Sequence, residues 1–304
     1  MIIVNLMGGL GNQMFQYAAA KQLSINYSTV LKIDATNFQK LTSNKDHNFQ
    51  LDCFCITASQ ASKEEVRKYN KTRNRLRALF ELVGMILYPQ PSDRRNDLLY
   101  KEPDGSAFKP AFQELGPNRY LIGYFNSYKY FNEIRDILVN EYTPRYTISP
   151  PAQEMIKQIE NTNSVSIHIR RGDYVSDPNV QQCVEGIITD NYYYNAFEYI
   201  FQRVKKPHFF IFSDAMPWVM SNFKIPSGVT YVNINPPQRG FEDLWIMSKC
   251  KHNITAGGST FSWWASYLNR NADKIVVRTE KISNEVKYNH PDDYFPPDWK
   301  IVPS

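Results

Sequence analysis

The sequence predicts an α/β protein of two doubly wound lobes with a cleft between them, and three observations predict it. The chain opens as strand, glycine loop, helix, strand. From Val165 onward it alternates strand and helix again. Between the two parts lies a proline-punctuated stretch, Pro144 to Pro151. Alternation of this kind builds a parallel sheet covered by helices. The boundary is placed so that residues 1–148 form one lobe and residues 149–304 the other. A chain of 304 residues suits that division, at about 100–200 residues per domain.

The elements follow in order. Ile2 to Leu6 is apolar and reads as a strand. Gly8-Gly9-Leu10-Gly11 is the loop after it. Gln13 to Leu23 places Met14, Tyr17, Ala18 and Lys21 at helical spacing. Thr29 to Ile33 is the second strand, ending at Asp34. Cys53 and Cys55 alternate along FQLDCFCIT, which predicts a strand with both thiols buried on one side. Ser62 to Tyr88 reads as helix, and Pro89 to Pro110 as a loop or lid. Tyr120 to Phe125 reads as a short strand and Lys129 to Val139 as a helix. In the second half, Val165 to Arg170, His208 to Phe212, Thr230 to Asn233, Asn253 to Thr255 and a final Lys274 to Val277 are strands. Tyr192 to Val204, Trp218 to Phe223, Phe241 to Lys249 and Phe261 to Asn269 are the helices between them.

Composition narrows the function classes. Hydrophobic residues make up 42% and charged residues 21%, an ordinary globular balance that excludes disorder. The net charge of +5 is too small to argue for nucleic acid; it suits an anionic small ligand or an anionic membrane surface. Aromatics reach 14%, as carbohydrate and nucleotide sites use, and as ordinary cores do too. Four scattered cysteines, Cys53, Cys55, Cys183 and Cys250, neither staple a scaffold nor space a metal site. No signal peptide or membrane-spanning run is evident, so a reducing, cytoplasmic setting is expected. The basic stretch Lys63 to Arg77 reads as a solvated helix face or as a peripheral contact with the inner membrane.

Four constellations carry chemistry. HIRRGDY, His168 to Tyr174, closes a predicted strand, where open α/β sheets bind ligands. Arginine keeps its charge and grips phosphate with two donors at once, so Arg170 and Arg171 suit a diphosphate clamp. The plainer alternative is an ion pair of either arginine with Asp173. AGGSTFSWWASYL, Ala256 to Leu268, runs from glycines into a helix; Ser259, Thr260 and Ser262 with free N–H groups suit an anion, or simply cap the helix. Trp263 and Trp264 are read as core rather than as a sugar platform. In FSDAM, Ser213 or Asp214 could bond a base or ribose, or Asp214 could serve the next helix start. MGGLGNQMFQYA invites a dinucleotide reading with Asp34, but the third glycine of that fingerprint is replaced by Met14. Asn12, Gln13 and Gln16 are instead polar groups suited to sugar hydroxyls.

Taken in order, GGLGNQMFQYA, YLIGYFNSYKYF, HIRRGDYV, FSDA and DLWIMSKCKHNITAGGSTFSWWASYL resemble the bacterial α-1,2-fucosyltransferases of glycosyltransferase family 11. The resemblance implies a GT-B-type fold with an acceptor-side N-terminal lobe and a C-terminal lobe that binds GDP-fucose. It implies inversion at the anomeric carbon, no metal and no cofactor. The acceptor would be a galactose-terminated oligosaccharide or glycolipid. His168, Arg170, Arg171 and Asp173 would face the pyrophosphate, and Ser259, Thr260 and Ser262 would match the family's serine contacts. Two departures stand out. Ala215 replaces a second acidic residue, and Gly257-Gly258-Ser259-Thr260 replaces Asn-Ser-Ser.

A base must take the acceptor proton. Asp173 and Asp177, the latter in a predicted loop, are the candidates, with Glu242 and Asp243 behind them. The competing classes are a nicotinamide oxidoreductase, a non-catalytic sugar- or RNA-binding module, and a related transferase with another linkage or nucleotide sugar.

Overall fold

A computed structural model describes residues 1–40, 48–69, 98–105, 107–225 and 228–304. The chain forms two compact units. The first is Met1–Asp52 with Ile56–Glu141, and the second is Cys53–Cys55 with Tyr142–Ser304.

The first unit is built on five parallel strands: β1 (Ile2–Asn5), β2 (Leu31–Asp34), β3 (Ser59–Gln60), β4 (Leu99–Lys101) and β5 (Arg119–Ile122), in the order β3-β2-β1-β5-β4. All four residues of β1 are buried, as expected of a central parallel strand. Helix α1 (Leu10–Asn26) starts three residues earlier than the periodicity suggests and is buried along most of its length. A short α2 (Thr36–Lys40) follows β2. Helix α3 covers 63–69, and the rest of the predicted helix, including Arg73, Arg75 and Arg77, lies outside the described residues. Its start is a capping box: Ser62 N donates to Glu65 Oε2 at 2.8 Å, and Glu65 N to Ser62 Oγ at 3.1 Å. The helix expected from Lys129 is two 3-10 turns, Tyr128–Tyr130 and Asn132–Ile134, before α4 (Arg135–Glu141).

The second unit carries six parallel strands: β6 (Asn163–Ile169), β7 (Pro207–Ser213), β8 (Val229–Tyr231), β9 (His252–Ile254), β10 (Val276–Arg278) and β11 (Lys300–Ile301), in the order β11-β10-β9-β6-β7-β8. The chain winds outward from β6 to β8, then crosses back to β9 on the other side of β6. The strand order therefore reverses between β6 and β9. The helices are α5 (Pro150–Glu160), α6 (Gly172–Ser176), α7 (Pro178–Val184), α8 (Asp190–Phe201), α9 (Met216–Asn222), α10 (Gly240–Lys249), α11 (Thr260–Leu268) and α12 (Pro291–Tyr294). Val165, Ile167, Tyr192, Phe197, Phe209 and Ile211 form part of one buried core. Trp263, Trp264 and Tyr267 pack against one another in the interior, and Trp263 Nε1 donates to Tyr294 O at 2.9 Å. Both tryptophans are core.

Three local expectations change. The proline stretch is not a bare linker. Ser149 caps α5, accepting from Ala152 N, and Pro150 and Pro151 open the helix, where proline's missing N–H costs nothing. The second unit already begins at Tyr142, whose ring packs on Phe54 and Trp264. The FQLDCFCIT stretch is not a strand. It is a 3-10 turn, Leu51–Cys53, with a single antiparallel bridge from Phe54 to Pro144. Cys55 is consequently exposed and Cys53 half-buried, and Cys250 is the buried thiol. The final strand is β11, past the expected one. Among the described residues, no helix is long and apolar enough to cross a membrane.

Candidate active site

The reversal of strand order between β6 and β9 opens a crevice at the carboxyl ends of those strands, the usual ligand site of an open α/β sheet. Two loops flank it: residues 170–172 after β6 and residues 255–259 after β9. Both predicted phosphate segments thus meet at one place. His168 Nδ1 and Ser259 Oγ lie 3.5 Å apart across the reversal.

His168 is buried, and its backbone carbonyl accepts the Tyr193 hydroxyl at 2.9 Å. Burial, aided by the Arg170 charge and opposed by Asp214, pushes the imidazole down to about 4. It is therefore neutral at pH 7 and adds no positive charge to the loop. The positive charge comes from the two arginines, both only half-buried. Arg170 Nη1 pairs with Asp214 Oδ2 at 3.0 Å. The Arg171 guanidinium sits over the Trp218 ring, its Cζ 3.4 Å from the ring centre.

Asp214 plays a different part from the one expected. Its Oδ1 accepts from Arg171 N at 2.9 Å, and its Oδ2 from Gly172 N at 3.0 Å as well as from Arg170. Both oxygens are committed to the arginine loop, so the expected base-reading role does not fit. Ser213 Oγ accepts Ala215 N at 3.0 Å and shapes the same turn. The ion-pair partner found for Arg170 is Asp214. Asp173 belongs to α6, and its side chain lies outside the described residues. Asp177 is not a free loop carboxylate. It caps α7, accepting from Asn179 N at 2.9 Å, while remaining exposed.

On the far side, Ser259 sits at the cap position of α11 with no side-chain cap bond, so its hydroxyl faces His168. Thr260 is half-buried at the first helical position. The helix start presents N–H groups that lack intrahelical partners, which favours an anion. Ser262 departs from its expected role. It is buried, accepts Ala256 N at 3.1 Å and donates to Ser259 O at 3.4 Å, so it holds the loop. Gly257 takes φ +46, and a Cβ there would meet Ile188 Cδ1 at 2.8 Å. A side chain there would be strained and crowded.

The glycine loop of the first unit also departs from expectation. Gln13 and Gln16 are fully buried. Gln13 Nε2 donates to Gly8 O at 3.0 Å and Asn48 O at 2.8 Å, and its Oε1 accepts Gln50 N at 3.0 Å. Gln16 Oε1 accepts Met7 N at 3.0 Å and Nε2 donates to Met7 O at 3.2 Å. Gln16 clamps its own loop, Gln13 ties that loop to residues 48 and 50, and both amides are closed to a sugar; Asn12 remains half-buried. Asp34 is buried too, accepting Tyr120 Oη at 2.5 Å and Thr36 N at 2.9 Å. That closes the ribose-binding position of a dinucleotide site.

One group escaped the sequence reading, and one secondary base candidate is strongly perturbed. Trp218 carries no motif; only its spacing after FSD could have suggested it. Asp243, second in a helix-opening Glu-Asp pair, is pushed up to about 6, by burial first and by the Glu242 charge, against a 2.7 Å hydrogen bond from Asn235 Nδ2. Glu242 itself is fully buried and anchored by Arg239, Ser149 N and Ser149 Oγ, and these donors hold it below the usual range against its burial. Among the described residues, no three His, Cys, Asp or Glu side chains gather as a metal site.

Comparison with known proteins gives the family and the fold. The family model described as Glycosyl transferase family 11 matches residues 100–302. An alpha-1,2-colitosyltransferase of Escherichia coli is 31% identical over 88% of this chain and 87% of its own. The O-antigen biosynthesis glycosyltransferase WbnK, also of E. coli, is 31% identical over 91% of this chain and 93% of its own. Galactoside alpha-(1,2)-fucosyltransferase 2 of Sus scrofa is 27% identical over 59% of this chain and 54% of its own. The crystal structure of POFUT1 in complex with GDP shares the fold, with a TM-score of 0.50 and 13% identity, covering 91% of this chain and 98% of that one.

Proposed function

The chain belongs to glycosyl transferase family 11, with a GT-B-type α/β fold, and from that premise we propose an inverting galactoside α-1,2-L-fucosyltransferase. It moves L-fucose from GDP-β-L-fucose to the 2-hydroxyl of a terminal galactose in an oligosaccharide or glycolipid-linked glycan. The observation that carries this reading is the meeting of Arg170 and Arg171 with Ser259, Thr260 and the start of α11 at one strand-order reversal. Cations on one side and hydroxyl and N–H donors on the other suit a diphosphate. The second unit then forms the donor lobe, and the first unit the acceptor side, with Asn12 the remaining candidate there.

In the proposed displacement, the galactose 2-oxygen forms the new bond to the anomeric carbon. The bond from that carbon to the β-phosphate oxygen breaks, and its electron pair leaves with GDP. Arg170 and Arg171 stabilise the charge that develops on the phosphate, so no metal is required. The hydroxyl proton passes to a carboxylate, with Asp173 or Asp177 proposed; Asp177 is exposed but shared with the α7 cap. Neutral His168 lies beside Ser259 and adds no charge there at pH 7.

A related transferase using another nucleotide sugar is the second reading, favoured by the identity with an α-1,2-colitosyltransferase. Peripheral contact with the inner membrane through the basic 63–77 stretch belongs to the proposal as well. The test is GDP release from GDP-fucose in EDTA, with and without lactose, followed by NMR of the product. Lactose-dependent release with an α-1,2 product is expected. Release without transfer points to a longer or lipid-linked acceptor. No release with any acceptor overturns the fucosyl donor.

A further inference from the structure

The β7–α9 turn supplies one side chain for each arginine. Asp214 opens the turn after β7, takes Arg170 Nη1 at 3.0 Å, and fixes the backbone of Arg171 and Gly172 with the same carboxylate. Trp218, four residues on in α9, lies under the Arg171 guanidinium at 3.4 Å. Arg171 makes no ion pair with a described residue, so its orientation rests on that stack. Stacking covers one face of a planar guanidinium and leaves its edge donors free.

The fit between the two segments is tight at a third point. A Cβ on Gly172 would stand 2.6 Å from Asp214 Oδ2 and 3.3 Å from Asp214 Cγ. A side chain here would push that carboxylate aside. The turn and the arginine loop are thus mutually fitted, although 42 residues separate Gly172 from Asp214.

We propose that Asp214 and Trp218 are positioning residues for the transfer, Asp214 acting through Arg170 and Trp218 through Arg171. Asp214 sets the loop backbone and aims one guanidinium; Trp218 holds the plane of the other. Neither touches the donor. This inference rests on the proposed GDP site, and its test separates the two.

The experiment measures GDP affinity by calorimetry, and kcat and KM for GDP-fucose, in single and double variants. Asp214→Asn puts an amide N–H where two donors now converge. It should weaken GDP binding by about 10–100-fold, the size of one lost charged hydrogen bond. Gly172→Ala, which displaces the carboxylate without changing any charge, should do the same and carries the test if Asp214→Asn does not fold. Trp218→Ala should lower affinity and kcat, and Trp218→Phe should restore most of both. The deciding readout is the double-variant cycle. Asp214→Asn should cost less in an Arg170→Ala background than alone, the remainder being its hold on the Arg171 and Gly172 backbone, and Trp218→Ala should add nothing in an Arg171→Ala background. Full additivity in both cycles overturns the positioning roles, because a purely structural loss acts regardless of the arginine. GDP binding kept in Asp214→Asn, Gly172→Ala and Trp218→Ala but lost in Arg170→Ala also overturns them and leaves the site intact. A wild-type protein that binds no GDP overturns the site and this inference together.

Discussion

Two loops occupy matching places in the two units, and they use polar residues in opposite ways. Each follows the central strand beside which the strand order reverses, β1 in the first unit and β6 in the second. After β1, Gln13 and Gln16 turn inward and spend their amides on backbone groups, Gln16 on Met7 of its own loop and Gln13 on Gly8 and on residues 48 and 50. After β6, Arg170 and Arg171 stay half-exposed and are held by side chains from another segment. An amide can satisfy a buried turn completely because it carries both donors and an acceptor. A guanidinium has only donors and a fixed charge, so burial without an anion is costly and it stays at the rim. Polar residues at a helix start therefore mark a binding site only when their hydrogen-bonding capacity remains open.

The largest expected effect tests the open loop. Arg170→Ala or Arg171→Ala should lower kcat/KM by about 10²–10³-fold with an unchanged melting temperature, as for a lost transition-state donor. Full activity in both would remove the distinction between the loops. The closed loop should respond the other way. Gln13→Ala or Gln16→Ala strands buried backbone partners and should cost about 1–3 kcal/mol in urea unfolding. GDP affinity should not move; a lost affinity would return these residues to the site.

The smallest effects are in pH dependence, where two buried groups pull in opposite directions. The unfolded chain protonates a histidine near 6.5, whereas folded His168 resists to about 4, so its contribution to stability is lost as pH falls from 6.5 to 4. Asp243 ionises near 3.8 when unfolded but only near 6 when folded, so its contribution is lost as pH rises through that window. His168→Asn should remove the acid-side loss, and Asp243→Asn the loss between pH 4 and 6. Urea midpoints from pH 4 to 7 check both. Identical slopes in wild type and variants would mean that neither group is held as described.

Much of the fold is legible in the sequence because burial on both faces of a parallel strand demands an apolar run. β1 and β7 are largely such runs, while β6 alternates Val165, Ile167 and Ile169 with buried Ser164, Ser166 and His168; their helices follow by periodicity. Short strands and caps are less legible. β11 is two exposed residues, and α5 hides behind prolines that look like a linker until Ser149 is seen to cap it. FQLDCFCIT misleads because its alternation reflects packing of Phe54 on Tyr142 and Phe241, not a ladder.

The sequence by itself determined the α/β class, the family, and the two segments that bear charge and hydroxyls. Those depend on residue type and order, which are local. The tertiary structure alone decided that the segments meet at the reversal between β6 and β9. It decided as well that Asp214 serves the arginine loop, that Trp218 lies under Arg171, and that Gln13, Gln16 and Ser262 are closed. Each of these turns on which distant partner satisfies a polar group first. Chain order does not contain that information, because Asp214 and Gly172 become neighbours only when β6 and β7 pair in parallel.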